Sequence, residues 1–216
     1  MTTFFGSSTA RSSKRDAIKL IAGSALAVAS IGILSACSPE EKLQFKSIDL
    51  TGADYAKDFS LPDQNGQLRS IKDFVGKVVV VFFGFTQCPD VCPTSMAELA
   101  SIKKQLGTDG DKLQVIFITV DPERDTPELL KAYMGNFDPT FLALRPGLDK
   151  LPQVAKDYKI YYKKVEGKTP GSYSMDHSAG SYVYDPLGRI RLYNRYGGGS
   201  EGLLSDIRLL LKSKNA

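Results

Sequence analysis

Soft metal donors are scarce in this chain. Its 216 residues include one histidine, His177, and three cysteines, Cys37, Cys88 and Cys92. A structural zinc site normally draws four protein ligands, and only three good ones, Cys88, Cys92 and His177, are visible. Long apolar runs are lacking too. Residues 20–34 (LIAGSALAVASIGIL) form a run of 15, short of the about 20 residues that a membrane-spanning helix needs. Nor does charge of one sign dominate. The formal net charge is +4, but residues 1–36 hold four of the 28 basic residues and one of the 24 acidic ones, which leaves 24 and 23. A remainder so close to neutral makes no case for a nucleic-acid partner. No internal repeat is present.

The leading segment reads as an export signal. Arg11, Lys14, Arg15 and Lys19 precede the 20–34 run as a positive n-region before an apolar h-region. The paired arginines of a folded-export signal are absent. Leu34-Ser35-Ala36-Cys37 resembles a bacterial lipobox, which implies cleavage before Cys37 and lipid on its thiol. Residues 1–36 are therefore expected to be a lipoprotein-type signal, and 37–58 a lipid-anchored tether. The tether is polar, without clear periodicity, and reaches at most about 70 Å when extended. Ser38 is not the aspartate that typically retains lipoproteins at the inner membrane, a hint of the outer membrane in a two-membrane cell. Lipidation of Cys37 accounts for the odd cysteine and leaves Cys88 and Cys92 as the free pair, in a compartment oxidising enough for a disulfide.

The remaining residues, 59–216, are expected to form one domain. Residues 59–70 read as a hairpin turning at Asn65-Gly66. The run at 77–83 (KVVVVFF) and that at 113–120 (LQVIFITV) are too continuously apolar for anything but strands buried on both faces. A helix is expected over 93–106, and Thr126-Pro127-Glu128 opens another with an N-cap and a first-turn proline. A short strand at 141–144, a helix over 149–158 and an edge strand at 160–165 follow. A hairpin spans 181–196, and a final helix, capped by Ser200, runs to about 212. Parallel strands joined by helices, then an antiparallel hairpin and a closing helix, suggest an α/β thioredoxin-like fold: a mixed sheet flanked by helices, with an N-terminal β-hairpin extension.

Cys88 and Cys92 lie in FFGFTQCPDVCP, at the carboxyl end of the first buried strand, where open α/β sheets keep their sites. Both precede proline, which disfavours helical backbone at each. That predicts a stiff loop with Cys92 at the N-cap of the following helix, whose N-terminus favours thiolate over thiol. As a plain staple, a disulfide here closes too short a loop to remove much unfolded-state entropy. Redox or metal chemistry is the stronger reading.

His177 lies in Ser174-Met175-Asp176-His177-Ser178, read as a polar turn before a strand. Two thiolates and one imidazole suit copper: Cu(I) favours soft thiolates, and imidazole serves both oxidation states. Asp176 is a candidate to orient the imidazole, or to supply a weak fourth ligand. The stretch 120–127 (VDPERDTP) reads mainly as strand-end and cap chemistry. Tyr158, Tyr161 and Tyr162 read as core or edge packing rather than a docking surface.

FFGFTQCPDVCP, VDPERDTP and the late Asp176-His177-Ser178, in this order, make residues from about 54 to the C-terminus resemble the Sco family of copper-binding assembly factors for cytochrome oxidase. The resemblance implies a thioredoxin-like fold with copper, Cu(I) or Cu(II), held by Cys88, Cys92 and His177. It implies delivery of copper to the dinuclear copper centre of cytochrome c oxidase subunit II, or prior reduction of that subunit's cysteines. The expected protein is thus a monomeric metallochaperone, lipid-anchored on the outer face of the cytoplasmic membrane, with no small-molecule substrate and not a classical enzyme. Two alternatives keep the cysteines and drop the metal: a thiol–disulfide oxidoreductase that reduces a client's cysteines, and a thiol peroxidase.

Overall fold

A computed structural model describes residues 1–3, 6 and 43–213. The signal segment and Cys37 fall outside the described residues, as does the start of the tether. Among the described residues no helix is long and apolar enough to cross a membrane.

Ten strands and four α-helices make up residues 43–213 as described. The strands are β1 (Ile48–Asp49), β2 (Leu61–Pro62), β3 (Leu68–Arg69), β4 (Val78–Gly84), β5 (Leu113–Thr119), β6 (Leu142–Leu144), β7 (Tyr162–Glu166), β8 (Tyr173–His177), β9 (Ser181–Tyr184) and β10 (Ile190–Asn194). The helices are α1 (Val91–Gln105), α2 (Pro127–Gly135), α3 (Leu151–Asp157) and α4 (Ser200–Lys212). Six strands form the main sheet in the order β1-β10-β9-β4-β5-β6. β4, β5 and β6 run parallel; β9, β10 and β1 complete the sheet antiparallel. This is the thioredoxin-like mixed sheet with flanking helices that the element order predicts.

The core is built on β4 and β5, every residue of which is buried. Their unbroken apolar runs follow from being covered on both faces. The β2–β3 hairpin turns at Gly66, whose φ of 79° lies in the left-handed region that glycine enters freely. The hairpin caps the outer edge of β6. The Gln64 amide mimics a strand there, donating to the Phe141 carbonyl and accepting from the Ala143 N–H at 2.9 Å.

Five elements depart from expectation. Residues 48–49, inside the stretch read as tether, form β1 against β10. The buried Asp206 carboxylate of α4 accepts from the N–H groups of Lys46 and Ser47, both at 2.8 Å. A two-residue strand is too short to show periodicity, and its partners lie more than 140 residues away. β7 is not an edge strand of the main sheet; it pairs with β8 in a separate two-stranded ribbon, and β8 occupies what reads in sequence as a turn. Finally, α1 begins at Val91, so Cys92 lies inside the helix, and Asp90 is the N-cap. Pro93 sits in the first turn, where an N–H would have had no intrahelical partner, so it does not exclude helix at its neighbour. In the same way Gly199, not Ser200, precedes α4 as its N-cap.

A candidate metal centre of two cysteines and one histidine

The sulfur half of the site grows directly from the core. β4 ends at Gly84, and the chain turns at once, with the Cys88 N–H donating to the Phe85 carbonyl at 3.2 Å. Cys88 is half-buried in this loop; Cys92, in the first turn of the helix, is fully buried. Both are free thiols. Gly84 makes room for Cys92: a Cβ there would stand 2.8 Å from both Cys92 Sγ and Phe117, and 2.9 Å from Phe82. Any side chain at this position must push the sulfur or the core rings aside.

The imidazole arrives on β8. Strand alternation puts Tyr173, Met175 and His177 on the more buried face, while Ser174 and Asp176 are exposed. His177 Nε2 lies 3.5 Å from Cys92 Sγ. Nδ1 lies 2.9 Å from the Ser178 carbonyl, an acceptor only, so Nδ1 carries the proton and Nε2 presents a lone pair toward the sulfurs. The rings of Phe82 and Phe85 meet the imidazole edge-on, with centroids 6.2 and 5.7 Å away. Asp176, expected to orient the ring, lies on the opposite face of the strand; the backbone of Ser178 does this instead. The ligand atoms of Cys88, Cys92 and His177 all lie within 4.8 Å of one another.

The two thiols are electrostatically unequal. The Cys92 thiol, as hydrogen-bond donor, holds Cys88 well below the usual thiol value, helped by the N–H groups of Asp90 and Cys92. The Cys92 N–H lies 3.4 Å from Cys88 Sγ. Cys92 is pushed up, because it supplies that hydrogen bond and because it is buried. Cys88 is thus the thiolate and Cys92 the thiol that shares its proton. A soft cation could replace that proton and be held by two sulfurs and one nitrogen.

The stretch 120–127 contributes more than caps. Thr126 does cap α2, accepting from the Leu129 N–H at 3.2 Å. The fully buried Asp125, however, accepts from the N–H and hydroxyl of Thr86 and from the Thr119 hydroxyl, joining the cysteine loop to the end of β5. Burial pushes its carboxyl up, against those hydrogen bonds. Asp121 and Arg124 reach further, to Gln87 and Tyr173. The signal for these residues in sequence is a cluster of charges immediately after a fully buried strand. Tyr158 is core, as expected, whereas Tyr161 is 55% exposed and lines an open groove with Phe85, Cys88, Pro89, Val91 and His177.

The SCO1/SenC family model covers residues 49–212. An SCO2-like protein of Rickettsia prowazekii is 39% identical over 132 residues, 61% of this chain and 64% of the relative. The bovine mitochondrial SCO2 homolog is 35% identical over 153 residues, 70% of this chain and 58% of the relative. The chain thus spans less than two thirds of the length of these curated relatives. Among solved structures, copper-bound ScoI of Bradyrhizobium japonicum is 40% identical with a TM-score of 0.64, covering 71% of this chain and 97% of that one. Copper-bound yeast Sco1 is 33% identical with a TM-score of 0.65, covering 72% and 87%. The family model alone spans most of this chain, which belongs to the SCO1/SenC family.

Proposed function

We propose that this protein binds copper through Cys88, Cys92 and His177 and passes it on in assembling the dinuclear copper centre of cytochrome c oxidase. The observation that carries this reading is the convergence of the three donor atoms within 4.8 Å. Two sulfurs and an imidazole form a soft donor set, and copper-bound relatives share the fold. With both sulfurs deprotonated, the site is anionic around Cu(I) and neutral around Cu(II). One proton, held by Cys92, must leave on binding. The half-exposed Cys88 sulfur and the groove beside it leave the cargo open to an incoming thiolate of subunit II. Oxidation of the pair to a disulfide removes both thiolates, so redox state gates loading. The site would work outside the cytoplasmic membrane, anchored by lipid on Cys37.

The test is copper titration of the reduced protein against a competing chelator, beside His177→Ala. Weaker Cu(II) binding and an altered Cu(II) spectrum in the variant are expected. Equal affinity with an identical spectrum removes His177 as a ligand and with it this reading.

One observation favours a second reading, a client-directed thiol–disulfide reductase. Cys88 is a thiolate at a helix N-terminus with a buried thiol behind it, the asymmetry of an attacking and a resolving cysteine. The reduction potential of the pair decides it: a couple less reducing than the client's cannot reduce the client.

A further inference from the structure

We propose that Arg124 and Tyr173 are positioning residues for His177: they clamp the β7–β8 ribbon to the cysteine loop and so set where the imidazole stands. This rests on the reading that His177 is a ligand.

The ribbon needs such a device. It lies outside the main sheet, β7 has no buried residue, and β8 buries only Met175. A segment with so few apolar contacts opens locally at low cost unless polar ties hold it. The ties converge on Tyr173. The Arg124 guanidinium stacks on its ring, 3.6 Å from the centroid, and Lys164 Nζ lies 3.9 Å from the same centroid. Arg124 Nη1 donates to the Tyr173 carbonyl at 2.8 Å, and the Tyr173 hydroxyl donates to Asp121 at 2.9 Å. Arg124 is itself aimed by an ion pair through Nε to Asp121. Its Nη1 also donates at 3.0 Å to Gln87, the residue before Cys88. One guanidinium therefore touches both halves of the site.

Tyr173 and His177 lie on the same face of β8, four residues apart. A paired strand transmits a displacement along its length, so release of Tyr173 frees the imidazole to move from Cys92. None of the clamp residues contributes one of the three converging ligand atoms.

The experiment compares wild type with Arg124→Lys, which keeps the charge but loses the planar fork, and with Tyr173→Phe, a milder change that deletes only the hydroxyl. His177 is the sole histidine, so its ring signals in nitrogen-detected NMR of the metal-free protein are unambiguous. In Arg124→Lys the His177 signals should shift and broaden, and amide exchange at 173–177 should quicken while that of β4 and β5 stays unchanged. Copper affinity should fall by roughly 10–100-fold, as for other residues that orient a metal ligand. Tyr173→Phe should show the same changes more weakly. In a His177→Ala background, Arg124→Lys should cost no further affinity.

Wild-type ring signals and ribbon exchange in both variants would overturn the clamp. So would exchange that quickens equally in β4 and β5, which marks a general structural role, or an undiminished affinity loss in the His177→Ala background. If His177→Ala alone binds copper like wild type, the ligand reading fails, while the metal-free signals still decide the clamp.

Discussion

The strand that delivers the cysteines, β4, is buried along its whole length, whereas the ribbon that delivers the histidine, β7–β8, is exposed at most positions. The first is held by apolar packing, with Gly84 trimmed so that Cys92 can sit against Phe82 and Phe117. The second is held by charges, stacked rings and a few hydrogen bonds around Tyr173. Cys92 thus sits in the core, while His177 rides on a strand with a single buried residue. For a site proposed to hold a cargo and then release it, this is a useful division: one ligand can leave without disturbing the fold.

The largest effect is expected on the buried side. Asp125→Ala strands the Thr86 N–H and the two threonine hydroxyls that now share its carboxylate. The expected loss is about 1–3 kcal/mol of global stability, read by denaturant unfolding of the reduced protein. A change near zero would mean that the network does not fasten the cysteine loop to β5.

A second test uses pH. Cys88 has a folded pKa held well below its ordinary value of 9.0. A group depressed in this way adds stability that is full above 9.0 and is lost as pH falls from there toward the folded value. Cys92, raised instead, is protonated in both folded and unfolded chains below 9.0 and adds no slope there. Under reducing, metal-free conditions the stability advantage of wild type over Cys88→Ser should therefore shrink steadily as pH drops below 9. A gap independent of pH would show that Cys88 is not a thiolate. Alkylation should also reach Cys88 before the buried Cys92.

The smallest effect is expected on the ribbon. Lys164 pairs with Glu123 at 3.0 Å, with both side chains about half exposed. Lys164→Ala should change global stability by at most about 1 kcal/mol, yet quicken amide exchange at 173–177. If global unfolding and ribbon exchange change together, the ribbon is not an independent unit.

Much of the frame was readable from the chain alone. β4 and β5 announce themselves because strands covered on both faces need apolar residues throughout. Thr126-Pro127 marks the start of α2 because capping is local chemistry. α1 starts two residues before Pro93, because the rule for residues before proline is a bias, one that first-turn geometry overrides at Cys92. β8 has no local signature because much of what fastens it is remote: Arg124 lies 49 residues before the Tyr173 carbonyl it binds. Asp176 drew attention as the carboxylate beside the histidine, but adjacent residues in a strand face opposite ways, and a backbone carbonyl does the orienting.

Which atoms are available can be read along the chain: two cysteines held against a helix start by the turn after β4, one histidine, and a buried scaffold beneath them. These follow from short-range rules of periodicity, capping and side-chain chemistry. Folding brings Cys92 and His177, 85 residues apart, to 3.5 Å, leaves one ring nitrogen free, and lets an arginine from a third segment join the two halves. Those are closures between distant parts of the chain, set by the packing of the whole and invisible to any local pattern.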